Sequence, residues 1–277
     1  MRTPGSRVPA SPLTDHVCHA FDDDAALHRG AHRYLAAGML LGQRALIVAP
    51  EAECRLAQAI AEDACRRARP GSDVQILAVE SVYGSGPVPP EQTLRGFGEV
   101  LRSALDEGYT GLRVVAVLTR AVTDPELRRA FARWEHLAGR WQSTLPIASA
   151  CSYDRNVMGD DALHEIACLH PRVLSGGVPV PFQLYFRRGR LVLDGEIDSF
   201  STPLLLSALS HLQVEAGEDV VIDAQRLKFL DHRALLALVD GIARRHGARL
   251  VLSGAPAVPR QLPRSLGIDE ELLRLVP

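Results

Sequence analysis

Short apolar runs alternate with stretches of helical periodicity through the first 170 residues of the chain. The runs at 17–21, 45–49, 74–77, 112–118 and 145–152 have the length and composition of buried strands. Between them, apolar positions recur at helical spacing near 23–37, 51–68, 90–106, 124–141 and 160–168. Asp22 or Asp23 is placed to cap the first helix, and Gly38 to stop it. Asp124-Pro125-Glu126 opens another, with Pro in the first turn and an acid near the positive end of the helix dipole. Strands separated by helices of this length imply a parallel sheet covered on both faces, a three-layer α/β domain.

The pattern breaks at Leu174-Ser-Gly-Gly-Val-Pro-Val-Pro181, whose Gly and Pro spacing is that of a linker. A smaller α/β unit follows. Its strands are expected at 182–186, 191–196, 220–222 and 250–253, and its helices near 200–212 and 232–246, the latter stopped by Gly247. The strand at 220–222 runs into Asp223 and then into a short apolar loop containing Leu227, Phe229 and Leu230. Asp231 is a good cap for the next helix, in which Leu235, Leu236, Leu238, Val239 and Ile242 mark a core-facing stripe. The expected organisation is a disordered tail over 1–14, an α/β domain over 15–176, a linker over 177–181 and the second unit over 182–277.

Composition narrows the function. Lys and Arg number 31 against 33 Asp and Glu, and no basic cluster is interleaved with aromatics, so no nucleic-acid partner is expected. Arg66-Arg67 and Arg244-Arg245 sit near helix ends, where cations suit the dipole. No apolar run approaches the roughly 18 residues of a membrane span. The Pro-rich, polar start lacks the apolar core of a signal peptide. Five cysteines without a CxxC pair fit a cytoplasmic protein with reduced thiols.

Candidate chemistry lies at His16-Val-Cys18, Cys151-Ser-Tyr153 and His170-Pro171. Alternation along a strand puts His16 and Cys18 on one face, and likewise Cys151 and Tyr153. If the two strand ends are neighbours, these side chains line one pocket. That pocket can serve as an apolar ligand site with a few polar anchors, as a metal or redox site, or simply as packing. Read alone, His170-Pro171 is a helix stop. His164 and Cys168, and His28 and His32, are pairs four apart that carry little by themselves; the two histidines read as exposed or on an amphipathic face. Cys54 and Cys65 read as helix packing positions, and Gly84-Ser-Gly86 as a surface loop.

In this order and spacing the three pieces resemble the MEDS sensory family, together with Tyr34-Leu35 and Gly38, Gly42 before the second strand, and Trp134-Glu135. The resemblance covers about 15–176. It implies a RecA/KaiC-like parallel-sheet domain without a phosphate loop, and the sensing of small hydrocarbon derivatives. It implies His16, Cys18, Glu135, Cys151, Tyr153 and His170 as ligand-binding residues. The missing phosphate loop can be read directly. After the strand at 45–49 the chain reads Pro50-Glu-Ala-Glu-Cys-Arg-Leu, with no Gly, Lys or Ser/Thr to hold phosphate and magnesium. No nucleoside triphosphate is expected as cofactor, and a metal at the His/Cys cluster stays open. The chain departs from the family at Leu118-Thr-Arg-Ala121, where an acid and an aromatic are common, so its ligand can differ.

Gly195-Glu-Ile-Asp198 and the stretch from Asp219 to Val239 resemble a STAS domain, the fold of anti-sigma factor antagonists. This implies an anti-sigma factor or kinase-type regulator as partner, bound through Asp198, Asp231, His232 and Arg233. In that family a Ser or Thr follows the helix-capping Asp, and its phosphorylation breaks the complex by adding charge and bulk. Here His232 stands in that place, so the usual switch is missing. The combined expectation is a non-enzymatic bacterial signalling protein. A small-molecule effector acts on the first domain, a protein partner binds the second, and homodimerisation stays open. The alternative is a metal- or thiol-dependent redox sensor or enzyme using the His/Cys cluster.

Overall fold

Six parallel strands form the first sheet: β1 (Asp15–Phe21), β2 (Arg44–Ala49), β3 (Val74–Ala78), β4 (Leu112–Val117), β5 (Ile147–Asp154) and β6 (Arg172–Leu174). They lie side by side in the order β3-β2-β4-β5-β1-β6. The computed structural model describes residues 15–68, 71–174, 179–214, 217–255, 258 and 261–277. The tail expected over 1–14 and the first two linker residues lie outside the described residues. The connections carry α1 (Asp24–Leu40), α2 (Cys54–Arg67), α3 (Val79–Tyr83), α4 (Pro90–Asp106), α5 (Thr119–Val122), α6 (Pro125–Gln142), α7 (Arg155–Met158) and α8 (Asp160–Ala167).

Strand alternation sorts the side chains into two layers. Val17, Ile47, Val115 and Ala150 pack with residues of α1 and α2. Cys18, Leu46, Val114 and Cys151 face the other way and pack with residues of α3, α4, α6 and α8. Burial on both faces is why the strands read as unbroken apolar runs.

Asp23 caps α1 by accepting a hydrogen bond from the Ala26 amide. Gly38 does not stop this helix, which runs on to Leu40. Its missing side chain instead makes room for Arg113: a Cβ at Gly38 would lie 2.5 Å from Arg113 Cγ. Arg113 is fully buried, its guanidinium carbon 4.6 Å from the centre of the Tyr34 ring, and its Nε donates to Gln43 Oε1 at 2.9 Å.

The second unit contains β7 (Phe182–Arg187), β8 (Arg190–Ile197), α9 (Thr202–Ser210), β9 (Asp219–Asp223), β10 (Leu227–Leu230), α10 (His232–Leu238), β11 (Arg249–Ser253), α11 (Leu262–Ser265) and β12 (Leu273–Val276). Its sheet runs β10-β8-β9-β11-β12, all parallel, with β7 antiparallel on β8. The segment expected as an apolar loop is strand β10: Leu227 and Leu230 are buried while Lys228 and Phe229 are exposed, and the pairing with β8 slips between Leu227 and Phe229. Asp231 caps α10 through the Ala234 amide at 2.7 Å. The helix then widens into a π-helical stretch over Val239–Arg244.

The two units share one apolar core. It runs from the α6 face of the first sheet through Phe131 and Ile166 into Phe182, Leu184, Leu205 and Leu209. Polar groups register the junction. The Leu184 amide donates to the Cys168 carbonyl at 2.7 Å, and the Gly189 amide to Ser143 Oγ at 3.0 Å. Among the described residues no helix is long and apolar enough to cross a membrane.

Candidate functional site

The strand order makes β1 and β5 neighbours, with Cys18 opposite Cys151 and His16 opposite Ser149. His16 and Cys151 therefore point toward α6 from adjacent strands. Helix α6 answers with Glu135, which is 1% exposed. His170, fully buried, reaches in from the turn after α8.

Glu135 is the centre of the arrangement. Its Oε2 lies 3.0 Å from His16 Nε2 and 3.7 Å from His170 Nε2. Its Oε1 accepts the Tyr153 hydroxyl at 2.8 Å. Cys151 Sγ is 3.5 Å from His16 Nε2, and the two imidazole rings are 4.2 Å apart between centres. His170 Nδ1 lies 3.0 Å from the Ile166 carbonyl, which can only accept, so Nδ1 carries the proton and Nε2 the lone pair. Among the described residues that Nε2 has no hydrogen-bond partner.

These contacts fix the charges. Burial alone would raise the Glu135 pKa; the neighbouring His170, the hydrogen bond and charge of His16, and the Tyr153 hydroxyl outweigh it and hold it at about 2. Burial, reinforced by the His16 charge, lowers His170 to about 4, so it is neutral at pH 7. Burial and the Glu135 carboxylate push the Cys151 thiol and the Tyr153 phenol well above their ordinary values. At neutral pH the cluster thus holds a buried carboxylate, a neutral imidazole and a protonated thiol.

A cavity of about 40 Å³ opens beside this cluster. Its polar end is His16, Glu135 and Cys151, and its apolar walls include Tyr83, Phe97, Trp134 and Trp141. A buried water needs roughly 10–15 Å³ by this kind of measure, so there is room for about three water-sized groups. The shape suits a very small, mainly apolar molecule with one polar atom.

Five of the six residues expected at the ligand site come together: His16, Glu135, Cys151, Tyr153 and His170. Cys18 shares their sheet face and is fully buried, but lies outside the group of ligand atoms within mutual reach. Burial raises its thiol pKa. His170 is more than a helix stop, because the turn before Pro171 delivers its ring to Glu135. The cavity's aromatic walls were not anticipated from sequence, although the seven-residue spacing of Trp134 and Trp141 is a shared-face signal.

The other pairs differ: His164 and Cys168 separate, whereas His28 and His32 stay together. His164 lines a cleft of about 530 Å³ between α8 and the turn after β8, while Cys168 Sγ donates to the Glu165 carbonyl. His32 is buried rather than exposed, with Nδ1 bonded to the His28 carbonyl at 2.7 Å. His28 pairs with Asp63 at 3.1 Å, so these three form a second, half-exposed group on the α1–α2 side of the sheet. Cys54 is exposed and Cys65 half-buried.

In the second unit, Asp198 accepts from the amides of Phe200 and Ser201 and from Ser201 Oγ, which lowers its pKa. The Asp231 amide donates to the Ile197 carbonyl at 3.0 Å and ties the two loops together. His232 and Arg233 are exposed at the start of α10. Phe200 is 92% exposed and lines the same cleft as His164 and Asp198.

A further residue was not anticipated from sequence. His136, next to Glu135 on α6, points into the second unit, with Nε2 3.2 Å from the Ala208 carbonyl of α9 and its ring edge-on to Phe186. Burial lowers its pKa to about 4, so the donor is a neutral Nε2–H.

Comparison with known families agrees with this division. The model of the MEDS domain, described as MEthanogen/methylotroph, DcmR Sensory domain, matches residues 15–171. A model described as Mlab, STAS domain, matches residues 182–277. No curated protein and no solved structure gave a match. The chain belongs to the MEDS family, as a MEDS sensory domain followed by a STAS domain, an architecture with a signalling or regulatory role.

Proposed function

We propose that this protein is a ligand-gated regulator in which a small effector in the MEDS cavity controls what the STAS domain binds. The effector's apolar part sits among Trp134, Trp141, Tyr83 and Phe97, and its polar atom meets the Glu135 cluster. The observation that carries the reading is the adjacency of Glu135 and His136 on α6. One side chain belongs to the cluster and the next is anchored to α9 of the STAS domain. A shift of α6 by a bound molecule is therefore felt at the junction. Coupling free energies of about 1–3 kcal/mol, or about 5- to 150-fold in affinity, are the usual scale for such linkage.

The output surface is the end of the STAS domain bearing Asp198, Asp231, His232 and Arg233, with Phe200 exposed beside them. Its partner is a protein of the anti-sigma factor or kinase-type class. The cleft between α8 and Phe200 gives the sensory domain a share in this surface. An imidazole at 232 offers no hydroxyl to a serine kinase, so control of binding passes to the cavity.

Both tryptophans of the chain line the cavity, so intrinsic fluorescence reports its occupancy. The test titrates a panel of halomethanes, short alcohols, aldehydes and methylated thiols. It then measures the affinity for the protein captured by the immobilised chain. The expected result is a saturable fluorescence change accompanied by a change in partner affinity of at least about fivefold. Saturable binding that leaves partner affinity unchanged would overturn the proposal.

A further inference from the structure

We propose that His16, Glu135, Cys151 and His170 form a site for one divalent zinc-class ion at the head of the cavity. The four ligand atoms all lie within 4.8 Å of one another. Zinc bond lengths of about 2.0–2.1 Å to N and O and about 2.3 Å to S, placed at tetrahedral angles, separate N/O ligand pairs by about 3.3 Å and N/S pairs by about 3.6 Å. The observed separations are 3.0 Å for His16–Glu135, 3.7 Å for His170–Glu135 and 3.5 Å for His16–Cys151. These three pairs lie within a few tenths of an ångström of the tetrahedral values, and the other three lie within 4.8 Å.

The surroundings orient the ligands as they do in metal centres. The Ile166 carbonyl takes the Nδ1 proton of His170, which leaves an unpartnered, fully buried Nε2 lone pair aimed at the cluster. Tyr153 occupies Oε1 of Glu135 and leaves Oε2 facing both imidazoles. A buried carboxylate is stabilised by hydrogen bonds, an ion pair or a metal, and among the described residues the ion-pair partners of Glu135 are the two histidines of the same cluster. A divalent ion placed among them would pair with the carboxylate directly. On binding, the Cys151 thiol releases its proton to solvent and coordinates as thiolate, and the proton that His16 Nε2 holds toward Glu135 leaves to solvent or shifts to Nδ1, so that Nε2 coordinates through its lone pair. Two imidazoles, one carboxylate and one thiolate make a mixed donor set that suits zinc, whose d-electrons impose no competing geometry.

His16, Glu135 and Cys151 also line the cavity, so the ion would face whatever enters it. Only this last role rests on the sensing proposal; the binding of the ion stands on the cluster itself.

The test uses the full chain. Metal is stripped with chelator and Co²⁺ is titrated in, with far-UV circular dichroism confirming the fold of each variant. The expected result is one ion per chain, tetrahedral-intensity visible bands and a thiolate-to-cobalt charge-transfer band. Zn²⁺ should displace the cobalt. Cys151→Ser should abolish the charge-transfer band, while Cys18→Ser keeps it. Tyr153→Phe, which retains every ligand, should weaken binding about 10- to 100-fold. Failure of the folded wild type to take up one ion would overturn the proposal. So would a band that survives in Cys151→Ser, or uptake lost in His32→Ala and retained in Cys151→Ser. Fluorescence-detected effector binding that is identical in metal-free and loaded protein would separate ion from sensing and overturn the placement of the ion at the cavity. An ion that binds as described while no effector alters partner affinity leaves the metal site standing and overturns the sensing proposal alone.

Discussion

His136→Ala tests the junction between the two domains. The imidazole is 4% exposed and neutral at pH 7, so its removal deletes no charge. It deletes one hydrogen bond to the Ala208 carbonyl, about 1 kcal/mol. That carbonyl also accepts the His211 amide, so it is not left bare. The edge-on contact with Phe186 contributes about another 1 kcal/mol. Adding the apolar burial lost when a ring becomes a methyl group brings the expected cost to about 2–4 kcal/mol. Urea unfolding read by two probes is the assay. Tryptophan fluorescence sees only α6 of the MEDS domain, because Trp134 and Trp141 are the chain's two tryptophans. Far-UV circular dichroism sees both domains. The wild type should unfold with coincident curves, as a shared core requires. In His136→Ala the curves should separate and the dichroism midpoint should fall. His136→Phe, which keeps a ring but no donor, should lose only about 1 kcal/mol. A loss under about 0.5 kcal/mol in the Ala variant, with coincident curves, would refute the claim that this residue joins the domains.

Three further outcomes are expected. Burial lowers the pKa values of His19, His136 and His211 to about 4, against 6.5 when exposed. The unfolded chain therefore binds more protons as pH falls through 6.5, so stability is fully present above that pH and is lost toward pH 4, by up to about 3 kcal/mol per histidine. Urea midpoints at pH 7.5, 5.5 and 4.5 should decline in that order, and a flat profile would contradict the burial assigned to these rings. Gly38→Ala should destabilise by about 1–3 kcal/mol despite the better helix propensity of Ala, because its Cβ would press on the buried Arg113 stem; calorimetry showing a raised Tm would refute this. Asp231→Ala should cost about 1 kcal/mol through loss of the α10 cap, whereas His232→Ser on the exposed surface should change stability by less than about 0.5 kcal/mol and supply a hydroxyl for serine-kinase assays.

Local pattern carried much of the fold and only part of the site. Alternation placed His16 and Cys18 on one face of their strand and Cys151 and Tyr153 on one face of theirs, and this holds because a strand's period is fixed by its backbone. It could not say that β1 inserts between β5 and β6, which is a long-range choice. Nor could it separate Cys151 from Cys18, because the two lie opposite each other and differ only in which reaches α6 ligands. Glu135 came with the family resemblance; helical periodicity alone marks it as a charge between buried neighbours. Gly38 read as a helix end because Gly commonly ends helices, and only tertiary packing reveals the arginine beneath it. Strand β10 was hidden by its length of four residues and a slipped register that spoils alternation. His136 carries no motif at all, and its role follows from packing between domains.

The most direct test of the sensing account is hydrogen exchange of the full chain, measured with and without a saturating member of the small-molecule panel. Protection should change in α6 and, through His136, in α9 and at the start of α10 around Asp231–Arg233. Protection that changes only in the helices around the cavity, with α9 and α10 untouched, would contradict it.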